Sequence, residues 1–406
     1  MAVNLAPPAQ LLAVPGVSLA AGAAAIKATD RNDLALVRFT EGTSVAGVFT
    51  QSAFRAAPVL IAEPLIAAGN IRALLINSGN ANAATGEEGM DDALALCRSA
   101  ATALDVPERA VLPFSTGVIG ERLPVAAMTP VIESMPNSLA EDNWLLAAEA
   151  IMTTDTVAKA FSLQLELGGQ TVTITGMAKG SGMIRPDMAT MLAYVCTDAA
   201  VSPDCLQTLL VRTTAVSFNR ITVDGDTSTN DAFILAATGK AGNATIEDPD
   251  SAAADALLEG LSLVSAQLAQ AIVRDGEGAS KFVTVAVEEG GSEQECLQVA
   301  YTIAESPLVK TALFASDPNW GRLAMAIGRA GVAGLDPDGV QVYFDDVQVM
   351  RNGLMDPTYT EEAGAKVLSA EEFTIRVALG RGQAAAEIWT SDLSYEYVRI
   401  NAEYRT

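Results

Sequence analysis

Lys179-Gly180-Ser181-Gly182-Met183-Ile184-Arg185-Pro186-Asp187-Met188-Ala189-Thr190-Met191-Leu192 reads as a glycine-loosened connector that ends on a hydroxyl and turns into a strand. Gly180, Gly182 and Pro186 interrupt any regular element, because glycine leaves helix and strand geometry freely and proline lacks an N–H. Met191-Leu192-Ala193-Tyr194-Val195-Cys196 then has the apolar composition of a strand. Thr190 stands at the mouth of that strand. A surface loop fits the same pattern, so the pattern alone assigns no chemistry.

Composition adds a constraint, since the 406 residues include no histidine. Without imidazole there is no Ser-His-Asp or Cys-His catalysis, no imidazole metal ligand, and no side chain that titrates near neutrality unperturbed. Acid-base chemistry must then use a shifted Glu or Lys, a thiolate or an α-amine. An α-amine has an ordinary pKa of about 7.7 to 8.0, so roughly a tenth or more is free base at pH 7. If the peptide bond between Ala189 and Thr190 were cut, Thr190 would carry its own base beside its own hydroxyl.

The segment from Gly176 through Ile184 and on to Met188-Ala189-Thr190-Met191-Leu192 closely resembles the self-cleavage motif of the ornithine acetyltransferases, also called glutamate N-acetyltransferases, of arginine biosynthesis. The likeness runs the length of the chain. It implies autocatalytic scission between Ala189 and Thr190, giving fragments 1–189 and 190–406 that stay together, with Thr190 as the acyl-accepting nucleophile. It also implies an α/β sandwich of N-terminal-nucleophile type. Asp187 stands where the family pattern has Asn, three residues before the scissile bond, and adds a negative charge there.

Lys plus Arg at 25 against Asp plus Glu at 49 gives a net charge of −24, which repels phosphate backbones and anionic lipid surfaces. Nucleic acid and membranes are therefore not expected partners. Cys97, Cys196, Cys205 and Cys296 are far apart with no C-x-x-C, so neither a zinc site nor a disulfide framework is indicated. A reducing cytoplasm fits. The apolar stretch Leu11–Ile26 has no Lys or Arg before it and is broken by Pro15, Gly16 and Gly22, so it reads as strand and turn.

Elsewhere the chain alternates strands and helices, with a smaller α/β unit expected from about 290 to 406. Four of its loops concentrate polar groups. Ile71–Ile76 runs into Asn77-Ser78-Gly79-Asn80-Ala81-Asn82, and Val111–Phe114 breaks into Ser115-Thr116-Gly117, a turn able to aim a hydroxyl and an N–H at a developing oxyanion. Thr153-Thr154-Asp155-Thr156 suits a helix terminus or a pocket wall, and Asp224, Asp226 and Asp231 fall in one hydroxyl-rich turn. That turn lacks the order of a calcium loop, and no metal is expected in it. Glu277 lies between Gly276 and Gly278 after a long Ala/Leu helix pattern.

By themselves these read equally as ordinary turns. The resemblance makes Thr116 and Gly117 the oxyanion hole and Thr153, Lys179, Thr190, Glu277, Asn401 and Thr406 the substrate contacts. Lys179 then suits a substrate carboxylate and Glu277 an ammonium. The activity so implied is transfer of acetyl from N2-acetyl-L-ornithine to L-glutamate through acetyl-Thr190, without a cofactor. Family members differ in whether acetyl-CoA also donates. The resemblance further implies a heterotetramer of two copies of each fragment. The rivals are a self-processing aminopeptidase or amidase, with water as acceptor, and a binding protein in which Thr190 is ordinary.

Overall fold

The computed structural model describes residues 2–27, 29–185 and 191–403. Two sheets lie face to face between two layers of helices. One sheet runs in the order Val17–Gly22, Leu34–Phe39, Ala73–Asn80, Val111–Val118; the other runs Ser44–Phe49, Ala232–Ala237, Leu192–Thr197, Gln170–Lys179, Lys159–Leu167. Strand side chains alternate between faces. Val37, Leu74, Ile76 and Phe114 therefore meet Met177, Tyr194, Cys196 and Ile234 between the sheets. Their neighbours Leu36, Leu75 and Val111 pack outward with Leu96, Ala100, Met128 and Ile132 of helices Gly86–Leu104 and Val125–Ser134. On the far side Val195, Phe233 and Leu235 pack with Leu209, Leu261 and Leu268 of helices Pro203–Ala215 and Ala252–Arg274. Strands covered on both faces lose the apolar-polar alternation, which is why these segments read as continuous apolar runs.

This is the α/β sandwich expected from the sequence. Helix Ala252–Arg274 is long and apolar enough to cross a bilayer, but Leu257, Leu261, Val264, Leu268 and Ile272 bury its apolar stripe in the core. The four cysteines are buried and unpaired. A third, seven-stranded sheet carries the C-terminal part with its own core, which includes Val285, Val299, Ile303, Phe344 and Ile375. That sheet begins at Phe282–Gly290 and also takes in Ile221–Thr222, which pairs with Trp389 and Thr390.

The connector of the opening stretch is an excursion from the middle sheet. Gln170–Lys179 pairs antiparallel with Leu192–Thr197, and the last rung joins Lys179 to Leu192. The chain thus leaves and re-enters the sheet at a single rung, with its glycines between. A hairpin that turns at Gly168-Gly169 joins Lys159–Leu167 to Gln170–Lys179. Helix Ala57–Ala68 had no clear sequence signal because Pro58 and Pro64 lie in it; Pro58 sits in the first turn, where its missing N–H costs little.

Candidate active site

Strand ends and helix ends bring the expected residues to one cavity of about 240 Å³. Thr116 and Gly117 close strand Val111–Val118, and Thr153 follows helix Trp144–Ala150. Lys179 ends its strand, Glu277 occupies the turn after helix Ala252–Arg274, and Asn401 comes from the last helix, Tyr395–Ala402. Met191 also lines the cavity. Ala189, Thr190 and Thr406 lie outside the described residues.

Gly117 is required by geometry. Its φ is +136°, and a Cβ there would lie 2.2 Å from the carbonyl carbon of Gly79 on the neighbouring strand. The Asn-rich loop fixes that neighbour: Ser115 Oγ donates to Asn77 Oδ1 at 2.6 Å, Asn77 Nδ2 donates to Asn80 O at 2.8 Å, and Asn230 Nδ2 donates to Ser115 O at 2.8 Å. Three segments far apart in sequence therefore hold the strand end that carries Thr116.

Lys179 Nζ donates to Thr153 Oγ1 at 2.7 Å and to Thr116 Oγ1 at 3.1 Å. A hydroxyl that accepts from an ammonium keeps its own proton for another acceptor, so Thr116 is set to donate. Burial pushes the Lys179 ammonium below its ordinary pKa; Asp155, Asp231 and Glu277 oppose the shift and Lys159 adds to it. Opposite, Asn401 Nδ2 donates to Glu277 Oε2 at 2.8 Å. A Cβ on Gly182 would lie 2.4 Å from Glu277 Cδ, so this glycine makes room for the carboxylate. The cavity thus has a cationic and an anionic wall.

Behind it lies a buried ion triad. Lys159 Nζ reaches Asp155 Oδ1 and Asp275 Oδ2, each at 2.6 Å, with Lys159 and Asp155 side chains fully buried. Asp155 also accepts from Thr153 N at 2.9 Å and Gly180 N at 2.8 Å, and the Asp275 carbonyl accepts from Ser181 Oγ at 2.6 Å. Burial alone would raise the Asp155 pKa, but Lys159, Lys179 and the Thr153 amide outweigh it and hold the carboxylate well below its usual range. The sequence singled out Thr153 and Lys179 but not this support, because a lysine inside a strand pattern gives no sign of its partners. Asp224 is a second support: it accepts from Met183 N at 2.6 Å, Ile184 N at 2.8 Å and Tyr397 Oη at 3.3 Å.

The sequence model of the ArgJ family matches residues 18–406. The chain belongs to the ArgJ family. It is 52% identical, over all 406 residues and the whole of the relative, to the arginine biosynthesis bifunctional protein ArgJ of Pseudomonas syringae pv. tomato. A crystal structure of the arginine biosynthesis bifunctional protein ArgJ from Bacillus halodurans is 38% identical, with 50% of this chain and 95% of that one covered and a TM-score of 0.48. The ornithine acetyltransferase of Mycobacterium tuberculosis, crystallised with ornithine, is 34% identical, with 44% of this chain and 99% of that one covered and a TM-score of 0.38.

In this ArgJ-family chain a second cavity of about 470 Å³ adjoins the first, sharing Gly117, Thr153 and Thr154 with it. Lys27 and Arg31 stand in its wall with Met152 and Ile400. Sequence reading did not find it, since Lys27, Arg31, Met152 and Ile400 lie in segments that carry no motif.

Proposed function

We propose that this protein is the glutamate N-acetyltransferase of arginine biosynthesis, moving acetyl from N2-acetyl-L-ornithine to L-glutamate. The observation that carries the reading is the single cavity with Lys179, Thr116 and Thr153 on one wall and Glu277 with Asn401 on the other, at the start of the strand that Thr190 precedes. An amino-acid substrate carries both a carboxylate and an ammonium, and the two walls complement them.

In the first stage the Thr190 hydroxyl attacks the Ala189 carbonyl; the peptide bond gives way to an ester, which frees the α-amine, and water then hydrolyses the ester to free the hydroxyl. In the second, that amine takes the hydroxyl proton as the hydroxyl oxygen attacks the acetyl carbonyl of N-acetylornithine. Thr116 and Gly117 donate to the oxyanion, ornithine leaves, and glutamate removes acetyl from Thr190. Thr116→Ala should lower kcat about a hundredfold to a thousandfold with KM little changed, as loss of one oxyanion donor does. None of these steps calls for a metal or an organic cofactor.

Relatives named bifunctional imply a second activity, and acetyl-CoA acetylating glutamate is the one we propose. The second cavity supports it: Lys27 and Arg31, with Asp33 as the one acid beside them, and the apolar Met152 and Ile400 suit an anionic thioester. We further place the enzyme in the cytoplasm as a heterotetramer of two copies of each fragment.

Intact mass of the purified protein combined with ornithine release tests the reading. Two fragments and release strongly accelerated by glutamate are expected. Release indifferent to glutamate would make the protein a hydrolase, and an uncut chain without turnover would make it a binding protein.

A further inference from the structure

The acidic turn 221–231 is not exhausted by Asp224. Asp231 lies in the wall of the active cavity, is 3% exposed, and its Oδ2 has no hydrogen-bond partner among the described residues. A buried carboxyl oxygen without a partner costs free energy unless it stays protonated or meets a ligand. Its position is fixed by strand register: Ala232 pairs with Leu192, and Ala232 N donates to Met191 O at 2.9 Å, which sets Asp231 beside the residue that follows Thr190. Lys179, by contrast, is engaged by two hydroxyls.

The reaction has an unassigned proton. When the acetyl carbon binds Thr190 Oγ, the hydroxyl proton passes to the Thr190 α-amine; the bond from that carbon to the ornithine nitrogen then breaks, and the departing nitrogen needs a second proton. The chain has no histidine to supply it, and the available donors are the Thr190 ammonium itself and an acid in the cavity wall. We propose that Asp231 is a further catalytic residue, whose neutral carboxyl gives that proton to the leaving amine through Oδ2 and recovers one from the glutamate amine when the acetyl–nitrogen bond forms. As the acetyl–Oγ bond then breaks, the Thr190 ammonium returns its proton to Oγ, so both groups end as they began.

The surroundings agree. Burial pushes the Asp231 carboxyl well above the usual carboxylate range, with Ser228 on its own loop and Lys179, at the end of a strand two places away in the same sheet, opposing the shift. Glu277 stands across the cavity, and Asp155 and Lys159 lie behind Lys179. The proton taken from the carboxyl leaves an anion beside the Lys179 ammonium, which stabilises the state after ornithine departs.

The inference rests on the Thr190 reading, and Asp231→Asn tests it separately. The amide keeps the shape without an exchangeable acid, and scission, read by intact mass, reports that the site is built. Expected are two fragments, a kcat for ornithine release lowered about 10²- to 10⁴-fold, and loss of the alkaline fall in the pH–rate profile. With p-nitrophenyl acetate, whose nitrophenolate leaves without a proton, variant and parent should acetylate at the same rate. Equal loss with both donors, ornithine release within threefold of the parent, or a variant that stays uncut each overturn the proposal for Asp231. A parent that is active while uncut overturns the Thr190 reading instead.

Discussion

At the scale of single residues, the informative side chains are buried lysines. Lys159 pairs with two buried carboxylates at once. Removing one partner of such an assembly leaves an uncompensated charge, and Lys159→Met should cost about 3–5 kcal/mol, read as a lowered denaturant midpoint at pH 7. Asp155 contributes stability that is present above the ordinary carboxylate pKa of about 3.9 and is lost as pH falls through its depressed folded value, so acid should weaken the parent. Lys310 acts in the opposite range. Burial pushes it down to about 8, against Asp392, Asp224 and Glu305, while Thr390 Oγ1 accepts from it at 3.1 Å. Between pH 8 and the ordinary lysine value of about 10.4 the unfolded chain holds a proton that the folded one has released, so this group makes stability rise with pH. Several buried thiols pull the other way, which makes the difference between parent and Lys310→Met the quantity to measure. Whatever offset the lost hydrogen bonds cause, the parent should gain about 3 kcal/mol on the variant from pH 8 to 10.4, at 1.4 kcal/mol for each factor of ten in proton affinity; a difference that stays flat would contradict the assignment.

Among the elements, the last helix is the most telling. Tyr395–Ala402 has no buried residue, yet it delivers Asn401 to Glu277, and its N-cap Ser394 donates to the Gly278 carbonyl at 2.7 Å. An element that buries nothing contributes little to stability and can still complete a site. Deleting residues 395–406 should leave the unfolding midpoint nearly unchanged while KM for the amino-acid substrate rises tenfold or more; a midpoint that falls along with the rise in KM would mean that the helix is structural. This helix was invisible to sequence physics, since chain ends usually fray, and only the family resemblance pointed to Asn401. The central strands were legible for the opposite reason: Met191–Cys196 and Ala73–Ile76 are apolar throughout because both faces are covered. Ser115–Gly117, expected as a turn, instead continues strand Val111–Val118 opposite Asn77–Gly79, and its orientation depends on Asn77 and on Asn230 from a distant segment. Pairing of that kind leaves no periodic trace along one strand.

For the whole molecule, the proposed scission makes a topological demand. In the middle sheet Ser44–Phe49, Gln170–Lys179 and Lys159–Leu167 belong to the first fragment, whereas Ala232–Ala237 and Leu192–Thr197 belong to the second. Ala232–Ala237 pairs with Ser44–Phe49 on one side and Leu192–Thr197 on the other, and Leu192–Thr197 in turn pairs with Gln170–Lys179. Strands of the second fragment are thus enclosed by strands of the first, and both faces of the sheet are packed. A cut between Lys179 and Leu192 leaves every described ladder pairing of this sheet in place. The cut protein should therefore behave as one body: size exclusion in native buffer gives a single species containing both fragments, and they part only at denaturant concentrations that abolish the near-ultraviolet circular dichroism. Fragments 1–189 and 190–406 expressed alone would each leave sheet edges and apolar faces uncovered, and aggregation is expected of both. A second fragment that stayed soluble and monomeric by itself would mean that the shared sheet is not what holds the two together.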